Sequence, residues 1–281
     1  MLTVGEQVQT KLNWLQHNLP NGLVVDAAWL EQKGYSRGLR SKYVSNGWLD
    51  QIIRGVYRRP PARVTPSGNG GLRWEAVVIS LQTLLERPLA VGGRTALELQ
   101  GFGHYLGAAG PREVHLYGAV TAPGWLHKLK LTSRFVVHNS RRLFPAHALD
   151  AQANGKSLPE GFTRQPWGHE EWPLIMSTPE RAVLELLDEV PRRETFHQAD
   201  VLMEGLRNLS PRRLQRLLVD CRSVKVKRLF FWFAERHGHA WLKRLERSGI
   251  DLGRGKRMLV RGGKLDAKYN ITVPENLDAG V

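Results

Sequence analysis

The stretch from Val24 to Arg59 decides the fold, and it reads VVDAAWLEQKGYSRGLRSKYVSNGWLDQIIRGVYRR. Asp26 predicts the start of a short helix, because a capping carboxylate accepts hydrogen bonds from backbone N–H groups that lack a helical partner. Gly34 suits the left-handed position that ends such a helix, and Ser36 predicts the cap of a second helix through about Ser45. Two short helices joined by a tight glycine turn are typical of a helix-turn-helix.

The residues that follow predict a β-hairpin. Strand-like segments run over Trp48–Ile53 and Val56–Arg59, and Gly55 between them supplies the positive φ that a tight hairpin turn needs. A lead helix over Glu6–Asn18 precedes the motif, with apolar residues at spacings of three and four. The sequence therefore predicts a winged helix-turn-helix.

Basic residues cluster on the second helix and on the hairpin. The helix carries Leu39 and Tyr43 on one face, so its polar residues are expected largely off the packed side: Arg37, Arg40, Ser41 and Lys42. The hairpin adds a basic residue at its tip and two on its second strand: Arg54, Arg58 and Arg59. We predict that the helix enters the DNA major groove and that Arg54 reaches the minor groove or its phosphates. The alternative is a winged helix that binds protein and has a solvated basic face.

Composition supports a polyanionic partner. The chain has 281 residues, 42% of them hydrophobic, which suffices for packed cores, and a net charge of +15. Such a charge favours nucleic acid first and an anionic membrane second. The membrane is the weaker prediction, since no apolar run approaches the roughly 20 residues that a span requires. The N-terminus lacks the pattern of a signal peptide, and Cys221 is the single cysteine, so we expect a cytoplasmic protein without disulfides.

The chain divides by composition. We predict a winged helix-turn-helix domain over residues 1–62, a linker over 63–71 and a C-terminal domain over 72–281. Within the last, residues 72–172 predict a mixed α/β part, with 144–172 rich in loops, and residues 173–281 predict a mainly helical part with two closing strands at 258–260 and 270–273. The predicted fold class is α+β.

The last third is a second basic block. From Gly205 to Lys264 there are 17 Lys or Arg residues and four acids. Its glycine-flanked loop offers a candidate surface for a toxin or for a second nucleic acid, RNA included: Arg254, Lys256, Arg257, Arg261 and Lys264. A solvated helical surface explains the same charges, and the two interpretations remain open.

Signals of catalysis are incomplete. The Gly-Lys-Ser within Asp150–Ser157 lacks the first glycine and the preceding strand of a phosphate loop. His237 and His239 flank a glycine and favour helix-end roles, because a metal site needs further ligands. Cys221 and the aromatic run Phe230–Phe233 favour packing over nucleophilic or base-stacking roles. We expect no catalytic residue, metal or cofactor.

A nucleic-acid-processing enzyme is the alternative to a regulator without catalytic activity. Two carboxylates can hold Mg²⁺ and a lysine can steady a scissile phosphate, and Asp251, Asp266 and Lys268 are the residues that could do so. That alternative is a metal-dependent nuclease, or another nucleic-acid-processing enzyme, directed by a winged helix.

Several segments resemble one protein family. The N-terminal stretches AAWLEQKGYSR and KYVSNGWLDQIIRGVYRRP are similar to the N-terminal domain of AbiEi antitoxins of bacterial type IV toxin–antitoxin systems. The middle segments GGRTALELQG and STPERAVLEL, and the run from Val224 to Leu277, resemble later parts of the same family.

The resemblance implies two roles. It implies an autorepressor that binds repeats in the promoter of its operon, and an antitoxin that counters a nucleotidyltransferase-like toxin. Operator DNA and that toxin are the expected partners, and the resemblance supplies no catalytic residues.

Overall fold

The computed structural model describes residues 4–61, 71–103, 110–146, 149, 157–168 and 171–277, with side chains described from residue 10 onward. The chain forms two compact units. The first comprises Met1–Arg87 with Ala122–Thr132, and the second comprises Pro88–Thr121 with Ser133–Val281. Residue 62, residues 63–70 of the predicted linker and residues 150–156 of the incomplete phosphate loop lie outside the described residues.

The first unit has the element order predicted for a winged helix-turn-helix, followed by one more helix. Its helices and strands are α1 (Val4–Asn18), β1 (Val24–Asp26), α2 (Ala27–Gln32), α3 (Arg37–Ser45), β2 (Asp50–Ile53), β3 (Val56–Arg58) and α4 (Trp74–Thr83). The strands form an antiparallel sheet in the order β1-β3-β2. Leu15, Leu30 and Tyr43 lie in its core.

Helix α4 belongs to this unit, which therefore extends beyond the predicted boundary at residue 62. The hydroxyl of Ser80 accepts a hydrogen bond from the Val24 backbone N–H at 2.9 Å. Residues 74–82 are all buried, and a helix that is covered on every side needs partners all round. The element thus requires the N-terminal sheet for its burial.

The second unit is a mixed sheet with helices. Its elements are β4 (Ala90–Val91), α5 (Gly93–Leu99), β5 (Glu113–Gly118), β6 (Arg134–Asn139), β7 (Phe162–Trp167), β8 (Trp172–Ser177), α6 (Pro179–Glu189), α7 (Phe196–Gly205), α8 (Pro211–Asp220), α9 (Val224–Arg236), β9 (Lys264–Asp266) and β10 (Ile271–Val273). The sheet order is β6-β5-β4-β8-β7, and β9 pairs with β10 separately. The predicted α+β class is confirmed.

One strand in this unit was not predicted, and one was predicted at the wrong position. Within the loop-rich residues 144–172, β7 forms the edge of the sheet beside β8. Its polar residues and Pro166 hide the strand pattern, and an edge strand tolerates proline because one side of its backbone has no ladder partner. The first closing strand lies at Lys264–Asp266 and not at 258–260.

Buried charge ties the segments GGRTALELQG and STPERAVLEL together. The carboxylate of Glu185 on α6 accepts hydrogen bonds from the Gly93 N–H at 3.0 Å and from the Ser177 hydroxyl at 2.8 Å. It also pairs with Arg181 at 2.7 Å, and both side chains are fully buried. The Arg181 guanidinium lies over the rings of two phenylalanines, Phe144 and Phe162. The two middle segments of the resemblance therefore meet in the core of the second unit.

Candidate nucleic-acid interface

The helix-turn-helix is fixed by the predicted caps. The Asp26 carboxylate accepts from the Trp29 N–H at 2.9 Å, and the Ser36 hydroxyl accepts from the Leu39 N–H at 3.3 Å. Gly34 has a φ of 81°, and Lys11 donates to its carbonyl oxygen at 2.6 Å. These contacts satisfy helix ends that would otherwise lack partners, so α3 has a defined entry angle.

The hairpin tip is held close to the start of α2. Gly55 has a φ of 83° in the turn, and its carbonyl oxygen accepts from the Ala27 N–H at 2.8 Å. Arg54, the residue before it, is exposed. The tip therefore presents one basic side chain on a restrained backbone.

The outer face of α3 carries three of the predicted residues. Arg37, Ser41 and Lys42 are exposed, and positions 37 and 41 are four apart and share a face. Among the described residues, neither Arg37 nor Lys42 forms an ion pair, and the same holds for Arg54 at the hairpin tip. These charges are available to an external anion.

Arg40 does not belong with them, and the prediction that it lies off the packed side is wrong. Its side chain is 5% exposed and donates to the Tyr35 carbonyl oxygen at 2.9 Å. It also pairs with Glu31 on α2 at 2.8 Å. Arg40 precedes Tyr43 by three residues and therefore shares the buried face of α3.

Arg58 and Arg59 are also engaged within the fold. Arg58 on β3 forms an ion pair with Asp50 on β2 at 2.8 Å. Arg59 donates to the backbone carbonyl oxygens of Leu19, at 3.0 Å, and of Gln16, both near the end of α1. Because these guanidinium groups brace the hairpin and the end of α1, their positive charge is less available to DNA than that of Arg54.

The C-terminal basic loop is held by one buried arginine. Arg228 on α9 donates to the carbonyl oxygens of Leu252, Gly253, Gly255 and Asn270 at 2.7–3.2 Å. The five predicted residues of this basic surface are all exposed, with Lys264 at the start of β9: Arg254, Lys256, Arg257, Arg261 and Lys264. Arg228 holds the backbone around the first three while their charges face solvent, which is the arrangement expected of a preorganised anion-facing surface.

The three residues of the nuclease alternative have separate partners. Asp251 accepts from the Gly253 N–H at 2.7 Å, and Asp266 accepts from the Trp232 indole N–H at 3.1 Å. Lys268 pairs with Glu235 at 2.7 Å. In the described part of the chain, no three His, Cys, Asp or Glu side chains form a group that could hold a metal. Each residue thus has a structural role in its own place.

The remaining candidate groups have packing roles. His237 bonds to the Asp200 carboxylate at 2.7 Å and His239 to the Met203 carbonyl oxygen at 2.8 Å. Both histidines thus fasten the end of α9 to α7. Phe230, Phe231 and Phe233 are fully buried. Cys221 is buried too, and this burial raises the pKa of its thiol to about 11, so it is poorly suited to be a nucleophile.

Sequence reasoning missed a histidine pair in the second unit, in which His115 is buried and His138 is partly buried. His115 Nδ1 and His138 Nε2 are 3.0 Å apart, and their outer nitrogens face Glu113 at 3.7 Å and Glu189 at 3.2 Å. Burial, followed by the neighbouring imidazole of His138, lowers the pKa of His115 to about 4. Nothing in the local sequence signals the pair, because it arises from the parallel pairing of β5 with β6.

The structure also reports on membrane insertion. None of the helices in the described ranges combines the length and the hydropathy that crossing a bilayer requires.

Comparisons with known proteins place these features in a family. A sequence model described as "Transcriptional regulator, AbiEi antitoxin, Type IV TA system" matches residues 111–274, and one described as "Transcriptional regulator, AbiEi antitoxin N-terminal domain" matches residues 8–108. The crystal structure of the RV2827C protein from Mycobacterium tuberculosis is similar to this chain, with 15% identity and a TM-score of 0.52. That similarity covers 97% of this chain and 92% of that chain and shows the fold alone. No curated protein matches.

Proposed function

Because the chain belongs to the AbiEi family of transcriptional regulators and antitoxins of type IV toxin–antitoxin systems, we propose that it represses its own operon by binding promoter repeats. We propose further that it counters a nucleotidyltransferase-like toxin. A regulator and antitoxin of this family has DNA and a toxin as its general partners. The operator and the class of toxin are the specific parts of this proposal.

One observation carries the DNA-binding part. Arg37 and Lys42 on α3 and Arg54 at the hairpin tip are exposed, while the basic residues that brace the fold point into it. In a helix-turn-helix complex the second helix lies in the major groove and presents its N-terminal residues to base edges. Arg37 is the first residue of α3, so it is the arginine best placed to bind a base, while Lys42 and Arg54 suit phosphates.

Arg40, Arg58 and Arg59 take a different part in this proposal. Their guanidinium groups are bonded within the fold, so they support the interface and keep α3 and the hairpin in place. We therefore reduce the proposed DNA-contacting set to four residues: Arg37, Ser41, Lys42 and Arg54.

The antitoxin part is supported by the C-terminal basic loop. A fixed loop loses little conformational entropy when it binds, and five exposed basic residues suit an acidic protein surface or an RNA backbone. Opposing a toxin that acts on RNA calls for such a surface, whether the antitoxin contacts the toxin or its substrate.

A promoter–reporter fusion tests the repression. Co-expression of the full chain should silence a reporter driven by the operon's own promoter, and nuclease footprinting should show protection at repeated sequences. Arg37→Ala should relieve both effects. An unaltered reporter together with an unprotected promoter would point instead to a winged helix that binds protein.

A further inference from the structure

The segment Ala122–Thr132 is remote in sequence from the helix-turn-helix yet belongs to the first unit. The indole N–H of Trp125 donates to the Asp26 carboxylate at 3.2 Å. Leu126, which begins a 3-10 turn over Leu126–Lys128, is 1% exposed. Asp26 thus caps α2 with one carboxylate oxygen and holds this segment with the other.

The contact places the segment beside the proposed interface. Asp26 pairs with Val56 at the end of β1, next to the hairpin turn, and the following residue, Ala27, bonds to Gly55. Pro123 lines a small cleft together with residues of α2, including Ala28 and Gln32. Pro123 and Trp125 therefore lie against the start of α2, and the residue that Trp125 contacts is adjacent to the one that bonds to the hairpin turn.

The segment is basic and exposed at its far end. His127, Lys128 and Lys130 are exposed, and no acid occurs between residues 122 and 132. The buried side chain of Leu126 and the hydrogen bond of Trp125 anchor the segment within the first unit. The two lysines thus extend from an anchored turn into solvent.

We infer that Ala122–Thr132 is an accessory phosphate-contacting element, in which Lys128 and Lys130 bind the DNA backbone beside the stretch that faces the hairpin tip. The inference rests on the proposed operator binding and extends its footprint. In a helix-turn-helix complex the first helix of the pair crosses the DNA backbone, and Pro123 and Trp125 lie beside the start of that helix, α2.

The dimensions agree with backbone contact. A 3-10 turn advances about 2 Å per residue, so Lys128 begins about 6 Å along the turn from Trp125, and its side chain extends further. Each DNA strand carries one phosphate per about 3.4 Å of helix axis. A lysine side chain at the end of this turn therefore spans a distance comparable with the spacing of one or two phosphates.

Salt-dependent binding by the full chain tests the inference. Each phosphate contact contributes about 0.9 to the slope of log affinity against log salt concentration. The double variant Lys128→Gln/Lys130→Gln should therefore show a slope shallower by about two, with equal losses on promoter and random duplexes. Arg112→Gln, which removes an exposed charge of the second unit, is the matched control and should leave the slope unchanged.

The possible outcomes distinguish failure of the accessory element from failure of the proposed operator binding. If the wild-type chain binds the promoter specifically and the double variant keeps its full slope, the accessory element is wrong and operator binding stands. If the wild-type chain shows no preference for the promoter, both fail. A changed base preference in the double variant would also contradict the inference, since phosphate contacts carry no direct sequence information.

Discussion

The guanidinium of Arg40 donates a hydrogen bond to the carbonyl oxygen of Tyr35, 2.9 Å away and inside the helix-turn-helix. The same side chain pairs with Glu31, so it joins α3 to α2 and to the turn between them. Arg37, one turn earlier on α3, is exposed. Two arginines three residues apart on one helix thus have opposite roles, one in the fold and one at the proposed interface.

That difference predicts opposite effects of alanine substitutions. Arg40→Ala should lower the free energy of unfolding by about 1–3 kcal/mol, because the buried Tyr35 carbonyl loses its charged donor; the ion pair adds little, since Glu31 is largely exposed. Arg37→Ala should leave the unfolding free energy within about 0.5 kcal/mol of wild type and weaken operator binding by about 1–3 kcal/mol. Denaturant unfolding and DNA titration of both variants check this.

A reversed pattern would count against the assignment. If Arg37→Ala unfolded more easily and Arg40→Ala lost only DNA affinity, the roles of the two residues would have to be exchanged.

Alanine substitutions at two glycines, Gly92 in the second unit and Gly38 in the first, test the packing around each position. A Cβ atom at Gly92 would fall far inside van der Waals contact with the Glu185 carboxylate and the Tyr117 ring, whereas a Cβ at Gly38 would meet nothing within 4 Å. Gly92→Ala should therefore cost about 1–3 kcal/mol of stability through overpacking. Gly38→Ala should raise stability by about 0.5–1 kcal/mol, because alanine is the better helix former.

Thermal or denaturant unfolding of the two alanine variants measures the change in stability of each relative to wild type. Equal stabilities would mean that the first turn of α5 is not packed against Glu185 as described.

The histidine pair predicts a dependence of stability on pH. His115 has a folded pKa of about 4 against an ordinary value of 6.5, so the unfolded chain binds the proton first as the pH falls. Its contribution to stability is therefore fully present above pH 6.5 and is lost as the pH falls towards 4, by on the order of 2 kcal/mol. Unfolding free energies measured across this range should fall in the wild type and fall less in His115→Gln.

The comparison with His115→Gln isolates this histidine from other titrating groups. One such group is Glu194, whose pKa burial raises to about 7 although Arg94 opposes the shift. The contribution of Glu194 to the unfolding free energy has the opposite sign: it is present below the ordinary pKa of 4.5 and is lost as the pH rises through 7. His197→Gln, an exposed control in the same unit, should keep the wild-type slope. Parallel slopes for wild type and His115→Gln would rule out the proposed origin.

The C-terminal loop predicts a separation of antitoxin activity from folding. Charge reversal of Arg254, Lys256 and Arg257 to glutamate should abolish rescue in a toxin co-expression assay while the protein stays folded, because all three side chains are exposed. Arg228→Ala should also abolish rescue, but for a different reason. Four carbonyl oxygens lose their hydrogen-bond donor, so the loop loses its fixed shape. Full rescue by the folded triple variant would exclude the loop as the antitoxin surface.

Local sequence signals predicted the two short helices and the hairpin of the N-terminal stretch well. Helix caps and positive-φ turns depend only on neighbouring backbone atoms, so they can be read from local sequence. The structure has the predicted caps at Asp26 and Ser36 and the predicted turns at Gly34 and Gly55. Arg40 is the exception, because it is buried. Its spacing of three residues from Tyr43 is the sequence signal of a shared face.

Long-range relationships were beyond the sequence. Helix α4 and residues 122–132 join the first unit through contacts with β1 and α2, and no local pattern encodes such pairings. The same holds for His115 with His138 and for Glu185 with Gly93, whose partners are 23 and 92 residues apart. The basic charge of the C-terminal loop was evident from the sequence, whereas the arginine that fixes it was not distinguishable from its basic neighbours.

Equilibrium binding of the full chain to its own promoter, measured by fluorescence anisotropy over a range of salt concentrations, tests the central claim most directly. We expect a preference for the promoter over a shuffled duplex, with an affinity that falls steeply as salt rises, because Lys and Arg side chains displace counterions from phosphates. Arg37→Ala should reduce the preference, and Arg54→Ala should weaken binding to both duplexes alike. Salt-independent binding, or equal affinity for promoter and shuffled duplex, would show that the chain is not an operator-binding repressor.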